Sequence, residues 1–166
     1  MSAINKSPTI QGNVIIDTGS GVHIVGRRNI LKENRNFIYK VQNPLSLSTA
    51  NGTILSRKWL NLSLESQKPG SNIAACVLKD SPNVLSVGQV CQQGWKFIWD
   101  RIDRPKLIAP NKEVFHLSVR NFVPHLSEKD QLVIRSRAEL TKESSFLTLP
   151  AVGASSSSAP PRASPR

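Results

Sequence analysis

The sequence is poor in the residues that mark a disulfide framework or a metal site. Its 166 residues include only two cysteines, Cys76 and Cys91, which lie fifteen positions apart with no C-x-x-C pair and no histidine cluster nearby. Structural zinc sites and disulfide-stabilised folds need several such residues at characteristic spacing. We therefore expect reduced thiols in an intracellular setting, with no metal and no other cofactor.

Long hydrophobic runs and a secretory leader are also missing. No stretch approaches the roughly 18 to 20 apolar residues of a membrane-spanning helix. The polar start at residues 1–11 does not match a signal peptide either. These absences predict a soluble protein that makes no contact with a membrane.

Alanine-rich and glutamate-rich periodic segments, which are typical of helices, do not occur. Valine, isoleucine, leucine and serine are abundant instead, and 39% of the residues are apolar. This composition favours strands around a modest core. The chain length supports one ordinary domain with a tail, so we predict an all-β fold with one short helix.

Acidic residues are scarce relative to basic ones. There are 22 lysines and arginines against 11 aspartates and glutamates, which gives a formal charge of +11. Such a surplus can neutralise nucleic-acid phosphates. The densest basic stretch, residues 27–40, has no aromatic ladder on which bases could stack. The pattern favours weak, non-specific and salt-sensitive association with RNA over specific recognition.

Alternating hydrophobicity predicts several strands joined by turns. Alternation begins at Phe37 and continues to the Asn51-Gly52 dipeptide, which suits the positive φ angles of a type I′ hairpin turn. Alternation over residues 59–66 predicts a second hairpin. Residues 131–143 carry apolar side chains loosely on one side and predict a short helix.

The expected organisation follows from these signals and from composition. Segments without apolar content cannot offset the entropy cost of becoming ordered. The predicted units are a flexible segment at 1–12, a folded domain at 13–126, a charged extension with the short helix at 127–150, and a disordered Ser/Ala/Pro/Arg tail at 151–166.

Residues 13–21, N-V-I-I-D-T-G-S-G, form the most informative stretch. Three β-branched residues predict a buried strand that delivers Asp17 to the edge of the core, where a carboxylate needs hydrogen-bond donors. Thr18 and Ser20 offer hydroxyl groups, and Gly19 lets backbone amides approach the carboxylate. The loop is suited to holding an ionised oxygen. The alternative is an ordinary turn, because these residues are all common turn formers.

A second motif lies about seventy residues further on. Residues 83–97 read N-V-L-S-V-G-Q-V-C-Q-Q-G-W-K-F, which predicts a strand ending at Gly88, one or two helical turns, and a stop at Gly94. Together, the D-T-G motif, the histidine four residues after its glycine and this second motif resemble the aspartic protease domain of copia-type retrotransposon polyproteins. The resemblance covers roughly residues 13–126.

The resemblance implies a retropepsin-like closed β-barrel that is active as a homodimer. Asp17 would then be the catalytic aspartate, with Thr18 reaching across the dimer to hold the opposite loop. The implied substrate is polypeptide, namely the protein's own polyprotein. The implied location is the cytoplasm, including virus-like particles.

The resemblance also assigns supporting residues. Val84, Leu85 and Gly88 would lie beneath the active-site loop. The flap that covers substrate would be the hairpin around Asn51, Gly52 and Thr53, with residues 67–71 as its rival. For His23, a structural hydrogen bond is the expected role rather than catalysis.

Two other functions stay open at this stage. The sequence lacks the glycine-rich flap of retroviral members and the Arg or Asp that they carry after the glycine equivalent to Gly88. A catalytically inactive retropepsin-like remnant, serving as a dimerisation or binding module, is therefore the first alternative. A basic nucleic-acid-binding β domain is the second.

Overall fold

The computed structural model describes residues 7–64 and 72–140, which form strands with few short helices. The predicted all-β class is confirmed. Two 3-10 helices occupy Arg27–Asn29 and Lys32–Phe37, the α-helix α1 spans Val87–Gln92, and residues 137–140 form a helical turn. The strands are β1 (Val14–Asp17), β2 (His23–Gly26), β3 (Tyr39–Thr49), β4 (Gly52–Leu64), β5 (Ile73–Leu78), β6 (Asn83–Ser86), β7 (Lys96–Ile98), β8 (Lys106–Ile108), β9 (Val114–His116), β10 (Ser118–Arg120), β11 (Val123–His125) and β12 (Leu132–Arg135).

Nine of these strands form one sheet and three form another. The large sheet has the order β10-β11-β1-β6-β2-β5-β4-β12, with β3 also paired to β4, and the small sheet has the order β7-β8-β9. No pairing joins β10 to β12 within the described residues. The expected closed barrel is therefore not found there. The outer side of β12 is occupied by residues 8–10, through the Thr9–Val133 bridge and the hydrogen bond from Ile134 N–H to the Pro8 carbonyl at 2.7 Å.

Parallel strand pairs lie at the centre of the large sheet. β1 runs parallel to β6 and β2 runs parallel to β5, while β2 pairs with β6 in the antiparallel direction, with Ile24 opposite Val84. Parallel strands are normally covered on both faces, which is why their sequences are almost continuously apolar. Ile16 and Leu85 are accordingly buried side by side. The two motifs of the sequence thus form neighbouring strands.

The small sheet shares the same hydrophobic core. Leu107 and Phe115 are buried within the cluster that contains Ile16 and Leu85. The rings of Trp95 and Phe115 lie 5.6 Å apart in a tilted arrangement, a favourable geometry for aromatic pairs. One core therefore spans both sheets.

The predicted Asn-Gly hairpin is present between β3 and β4. Thr49 pairs with Gly52, so the two connecting residues are Ala50 and Asn51. Gly52 has a φ of +111°, in the region that favours glycine, whereas Asn51 is not among the described residues with positive φ. The expected type I′ turn with positive φ at both Asn51 and Gly52 is therefore wrong. The second hairpin predicted over 59–66 is wrong within its described part, since β4 continues without a turn to Leu64. Leu60 and Leu62 are buried there because β4 is paired with β5 on one side and with β12 on the other.

Two predicted element boundaries also need correction. The strand expected to reach Gly88 ends at Ser86, because Ser86 caps α1 by accepting a hydrogen bond from Gln89 N–H at 3.3 Å. The stop at Gly94 is present, with a φ of +88°. Residues 132–135 form β12 rather than the predicted helix, and only 137–140 are helical in the described part of that segment. The folded unit thus extends past residue 126. The predicted tail at 151–166, residues 1–6 of the predicted flexible segment and residues 141–150 of the extension lie outside the described ranges.

Candidate active site

Asp17 is the last residue of β1 and lies where the sheet meets the surface. Its side chain is half-buried, whereas Thr18 and Gly19 are exposed. The N–H group of Gly19 donates a hydrogen bond of 2.7 Å to Asp17 Oδ1. A side chain on Gly19 would bring its Cβ to 3.4 Å from the same oxygen. The loop therefore holds one carboxylate oxygen from the backbone, at a position open to the outside.

The loop after Asp17 is fastened by the second motif. Ser86 Oγ donates to the Ser20 carbonyl at 2.6 Å, and Gln89 Nε2 donates to the Gly21 carbonyl at 3.0 Å. Ser86 is fully buried, so its hydrogen bond has no competition from water. These two contacts fix the backbone on the far side of the D-T-G turn. The Ser-Val-Gly-Gln segment is thus the anchor of the Asp17 loop.

The two hydroxyl groups of the loop differ in their contacts. Ser20 Oγ donates to the Val22 carbonyl at 2.6 Å and supports the loop internally, so it is not a donor to the carboxylate. Thr18 makes no hydrogen bond with any of the described residues. Its exposed hydroxyl is available to a partner molecule.

His23 is a buried, neutral hydrogen-bond acceptor. Its Nδ1 accepts the N–H of Ser86 at 3.0 Å, which places the proton of the neutral ring on Nε2. Burial lowers the pKa of His23 from 6.5 to about 4. Nε2 is itself buried and has no hydrogen-bond partner in the described ranges. The ring therefore holds β6 next to β2, as expected of a structural histidine.

Asn83 has a central structural role that the sequence did not reveal. Its Oδ1 accepts hydrogen bonds from Gly26 N–H at 3.2 Å and from Asn29 Nδ2 at 2.9 Å. Its Nδ2 donates to the carbonyls of Gln11 at 2.8 Å and Asn13 at 3.2 Å. All four hydrogen-bonding positions of the amide are therefore used. The one signal in the sequence for this role was a polar residue, Asn83, at the start of an apolar strand.

The expected positions beneath the loop are only partly as predicted. Val84 pairs with Ile15 and Leu85 with Ile16, so both support β1 directly. Gly88 instead lies exposed on α1, and a Cβ there would come no closer than 3.9 Å to Ser86 Oγ. The expectation that it lies under the loop is wrong, because the strand has already ended.

The glycine with no room for a side chain is Gly26, at the end of β2. A Cβ at this position would lie 2.1 Å from the carbonyl oxygen of Ser81. Such a contact cannot form without backbone movement. Gly26 therefore permits the close approach between β2 and the chain that enters β6.

The predicted flap residues lie at a projecting hairpin tip. Asn51, Gly52 and Thr53 are exposed, and Thr49 Oγ1 donates to the Gly52 carbonyl at 2.8 Å. Ile54 and Leu55 follow with much of their apolar surface exposed. The rival segment at 67–71 lies outside the described residues.

A basic groove lies between the same hairpin, the end of β5 and Arg27. Its volume is about 480 Å³, and no carboxylate lines it. Lys40 and Lys58 are directly opposite each other across β3 and β4, an arrangement in which like charges destabilise the pairing. The groove is lined by Arg27, Lys40, Arg57, Lys58 and Lys79, together with Ile54, Leu55, Ser56, Val77 and Leu78.

The described residues contain no group of three or more histidine, cysteine or carboxylate side chains arranged to hold a metal ion. None of the helices in the described ranges has the length and hydropathy to cross a bilayer.

Fold and site together define a mostly β protein with an Asp-Thr-Gly loop that is anchored by a capped helix. Comparison with known proteins gave no matching family model, no similar curated protein and no similar solved structure.

Proposed function

We propose that the protein is a retropepsin-like aspartic endopeptidase that cleaves polypeptide, its own polyprotein in particular, as a homodimer. The observation that carries the proposal is the joining of the two motifs. Ser86 and Gln89 hydrogen-bond the carbonyls of Ser20 and Gly21, so the second motif positions the loop that bears Asp17. Such a support is what a catalytic carboxylate requires, whereas an ordinary surface turn needs no buried anchor.

The reaction needs two carboxylates with different protonation states. Two Asp17 side chains about 3 Å apart cannot both ionise, so they share one proton. The ionised one takes a proton from water as the water oxygen bonds to the peptide carbonyl carbon. The protonated one donates to the carbonyl oxygen, and a proton then passes to the leaving nitrogen as the C–N bond breaks. The Gly19 N–H group steadies the carboxylate throughout.

Thr18 and the hairpin of β3 and β4 complete the proposed enzyme. The exposed Thr18 hydroxyl would hydrogen-bond the partner's loop, since it has no partner among the described residues of its own chain. Residues 51–53 would close over substrate as the flap. The exposed Ile54 and Leu55 give this hairpin apolar surface for substrate side chains. The proposed location is the cytoplasm, including virus-like particles.

Peptide cleavage across an enzyme dilution series tests the proposal. Specific activity should rise with enzyme concentration as chains pair, and it should show an acid-side optimum. Asp17→Asn should abolish it and, when mixed into wild type, should inhibit beyond simple dilution. Asp80→Asn, which alters an exposed carboxylate paired with Arg28, is the matched control and should retain activity.

The outcome of this experiment also separates the alternatives. Activity in a strictly monomeric protein, or activity that survives Asp17→Asn, would contradict the proposal. A protein that dimerises and cleaves nothing would be the catalytically inactive dimerisation module.

The basic groove supports a second candidate function, the binding of single-stranded RNA through its phosphates. Within the described residues, none of the five lysines and arginines that line the groove forms an ion pair. The opposed Lys40 and Lys58 would be relieved by an anion between them. Exposed Ile54 and Leu55 supply apolar contact in place of aromatic stacking.

Fluorescence anisotropy with a labelled oligouridine at several salt concentrations tests this binding. The double variant Arg57→Glu with Lys58→Glu should weaken binding and reduce the salt slope by about 1.4, because each phosphate contact contributes roughly 0.7. The same charge change at Lys96 and Arg101, which are exposed outside the groove, should have a smaller effect. Equal effects, or equal competition by polyglutamate, would refute phosphate recognition in the groove.

A further inference from the structure

An exposed aromatic residue occupies the tip of the hairpin formed by β10 and β11. Phe122 is 92% exposed, and Val123, the next residue, is also exposed. We name Phe122 and Val123 the apolar tip. Large apolar side chains that are grouped at the surface commonly mark an interaction site.

The backbone of the turn makes this phenylalanine harder to explain by folding alone. Asn121 and Phe122 have φ angles of 50° and 62°, so both adopt the left-handed conformation. That conformation suits asparagine and glycine at a two-residue hairpin turn, whereas a bulky aromatic residue is an outlier. Glycine at position 122 would satisfy the turn better and would remove an exposed ring. The fold of the turn therefore does not require phenylalanine at position 122.

The strand register places the apolar tip at the Asp17 end of β1. β11 is antiparallel to β1 with Ile15 opposite His125. The hydrogen bond from Leu126 N–H to the Val14 carbonyl at 2.9 Å follows the same register. Extended from Ile15 towards the end of β1, this register brings Val123 opposite Asp17. The turn at 121–122 follows directly beyond that pair.

We propose that the apolar tip contacts a second copy of this chain and stabilises the homodimer around the Asp17 loops. This inference rests on the proposed function, in which each chain supplies one carboxylate and the site is incomplete alone. Two carboxylates that share a proton lie about 3 Å apart, so the two-fold axis passes between the loops. Surface adjoining Asp17 at that end of β1 would then lie close to the partner. β10 also ends the large sheet with an edge that no described strand covers.

Phe122→Gly tests the inference without endangering the fold, because glycine tolerates the left-handed turn. Sedimentation velocity across a dilution series should show the dimer dissociation constant raised at least about tenfold, as expected for loss of an interface aromatic. The melting temperature of the monomer, measured at the lowest concentration, should be unchanged or higher. Phe122→Trp should retain dimerisation close to that of wild type.

The matched control is Ile102→Gly. Ile102 is 97% exposed and lies in the loop between β7 and β8, two strands of the small sheet. The substitution therefore removes an exposed apolar side chain at a different place on the surface. Its dissociation constant should stay within about twofold of wild type. Equal effects of the two substitutions, or a wild-type chain that stays monomeric at every concentration, would overturn the inference.

The two proposals fail in distinguishable ways. Cleavage that depends on Asp17 together with a dimer indifferent to Phe122→Gly would leave the protease intact and reject the apolar tip. A dimer that Phe122→Gly weakens, in a protein that cleaves no peptide, would support the apolar tip and reject the protease.

Discussion

Acidification should destabilise this protein through His23. Folding buries the ring and lowers the pKa of His23 from 6.5 to about 4. Between these values the unfolded chain binds a proton at this position and the folded chain does not. Stability therefore rises with pH across this window: it is fully present above 6.5 and is lost as the pH falls towards about 4.

The size of the effect follows from the same two values. Each pH unit of difference corresponds to ~1.4 kcal/mol, so about 3 kcal/mol of stability should disappear between pH 6.5 and 4. A domain of this kind is stable by roughly 5–15 kcal/mol, which makes the loss substantial. A protonated ring would also direct an N–H group at the Ser86 N–H that now donates to Nδ1.

Urea unfolding at several pH values, followed by tryptophan fluorescence, measures this loss. His23→Asn is the informative variant, because an amide oxygen can accept the Ser86 hydrogen bond and does not titrate. Its stability should depend on pH less than that of wild type by about 3 kcal/mol over the window. His125→Asn, the same change at a partly exposed histidine, is the matched control, and the reasoning requires it to alter the pH dependence less than His23→Asn does. Parallel curves for wild type and His23→Asn would refute the reasoning, and so would a His23 resonance that titrates near 6.5.

Three further substitutions test close packing and buried polar groups. Gly26→Ala should lower the free energy of unfolding in urea by about 3 kcal/mol or more, because the new Cβ would lie 2.1 Å from the Ser81 carbonyl oxygen. Gly21→Ala is the control and should change it by under about 0.5 kcal/mol, because no atom lies within 4 Å of a Cβ there. Similar losses for the two variants would contradict the close approach at Gly26. Asn83→Ala should cost about 3 kcal/mol, because buried backbone groups lose their partners, and a neutral effect would show that water replaces the amide. Burial is the main cause that raises the pKa of Asp130, so ionisation of this carboxyl at higher pH opposes folding. Asp130→Asn should therefore raise the melting temperature relative to wild type at pH 7 but not at pH 3. The reverse order would be inconsistent with this burial.

The features that could be predicted from the sequence are those determined by nearby residues. The hairpin between β3 and β4 and the stop after α1 each place a glycine, Gly52 and Gly94, at a positive φ angle that few other residues adopt. β1 could be predicted because three consecutive β-branched residues favour a covered strand. Each of these signals is contained within a few positions of the chain.

The features that were missed depend on distant partners. Asn83 contacts Gln11 across 72 residues, and no local pattern reveals which groups will meet its amide. Leu132, Val133 and Ile134 are all buried because β4 and residues 8–10 flank them. A run of three apolar residues fits a strand or a helix equally well until those neighbours are known.

The anchoring of the Asp17 loop by Ser86 also determines when this loop can fold during synthesis of the chain. Ser20 is made 66 residues before its partner. At about 5–20 residues per second, that separation corresponds to roughly 3 to 13 seconds of translation. During this interval the loop lacks its anchor and β1 lacks its parallel neighbour, β6. The Asp17 loop can therefore reach its anchored geometry only after this delay, once the segment that contains Ser86 has been made.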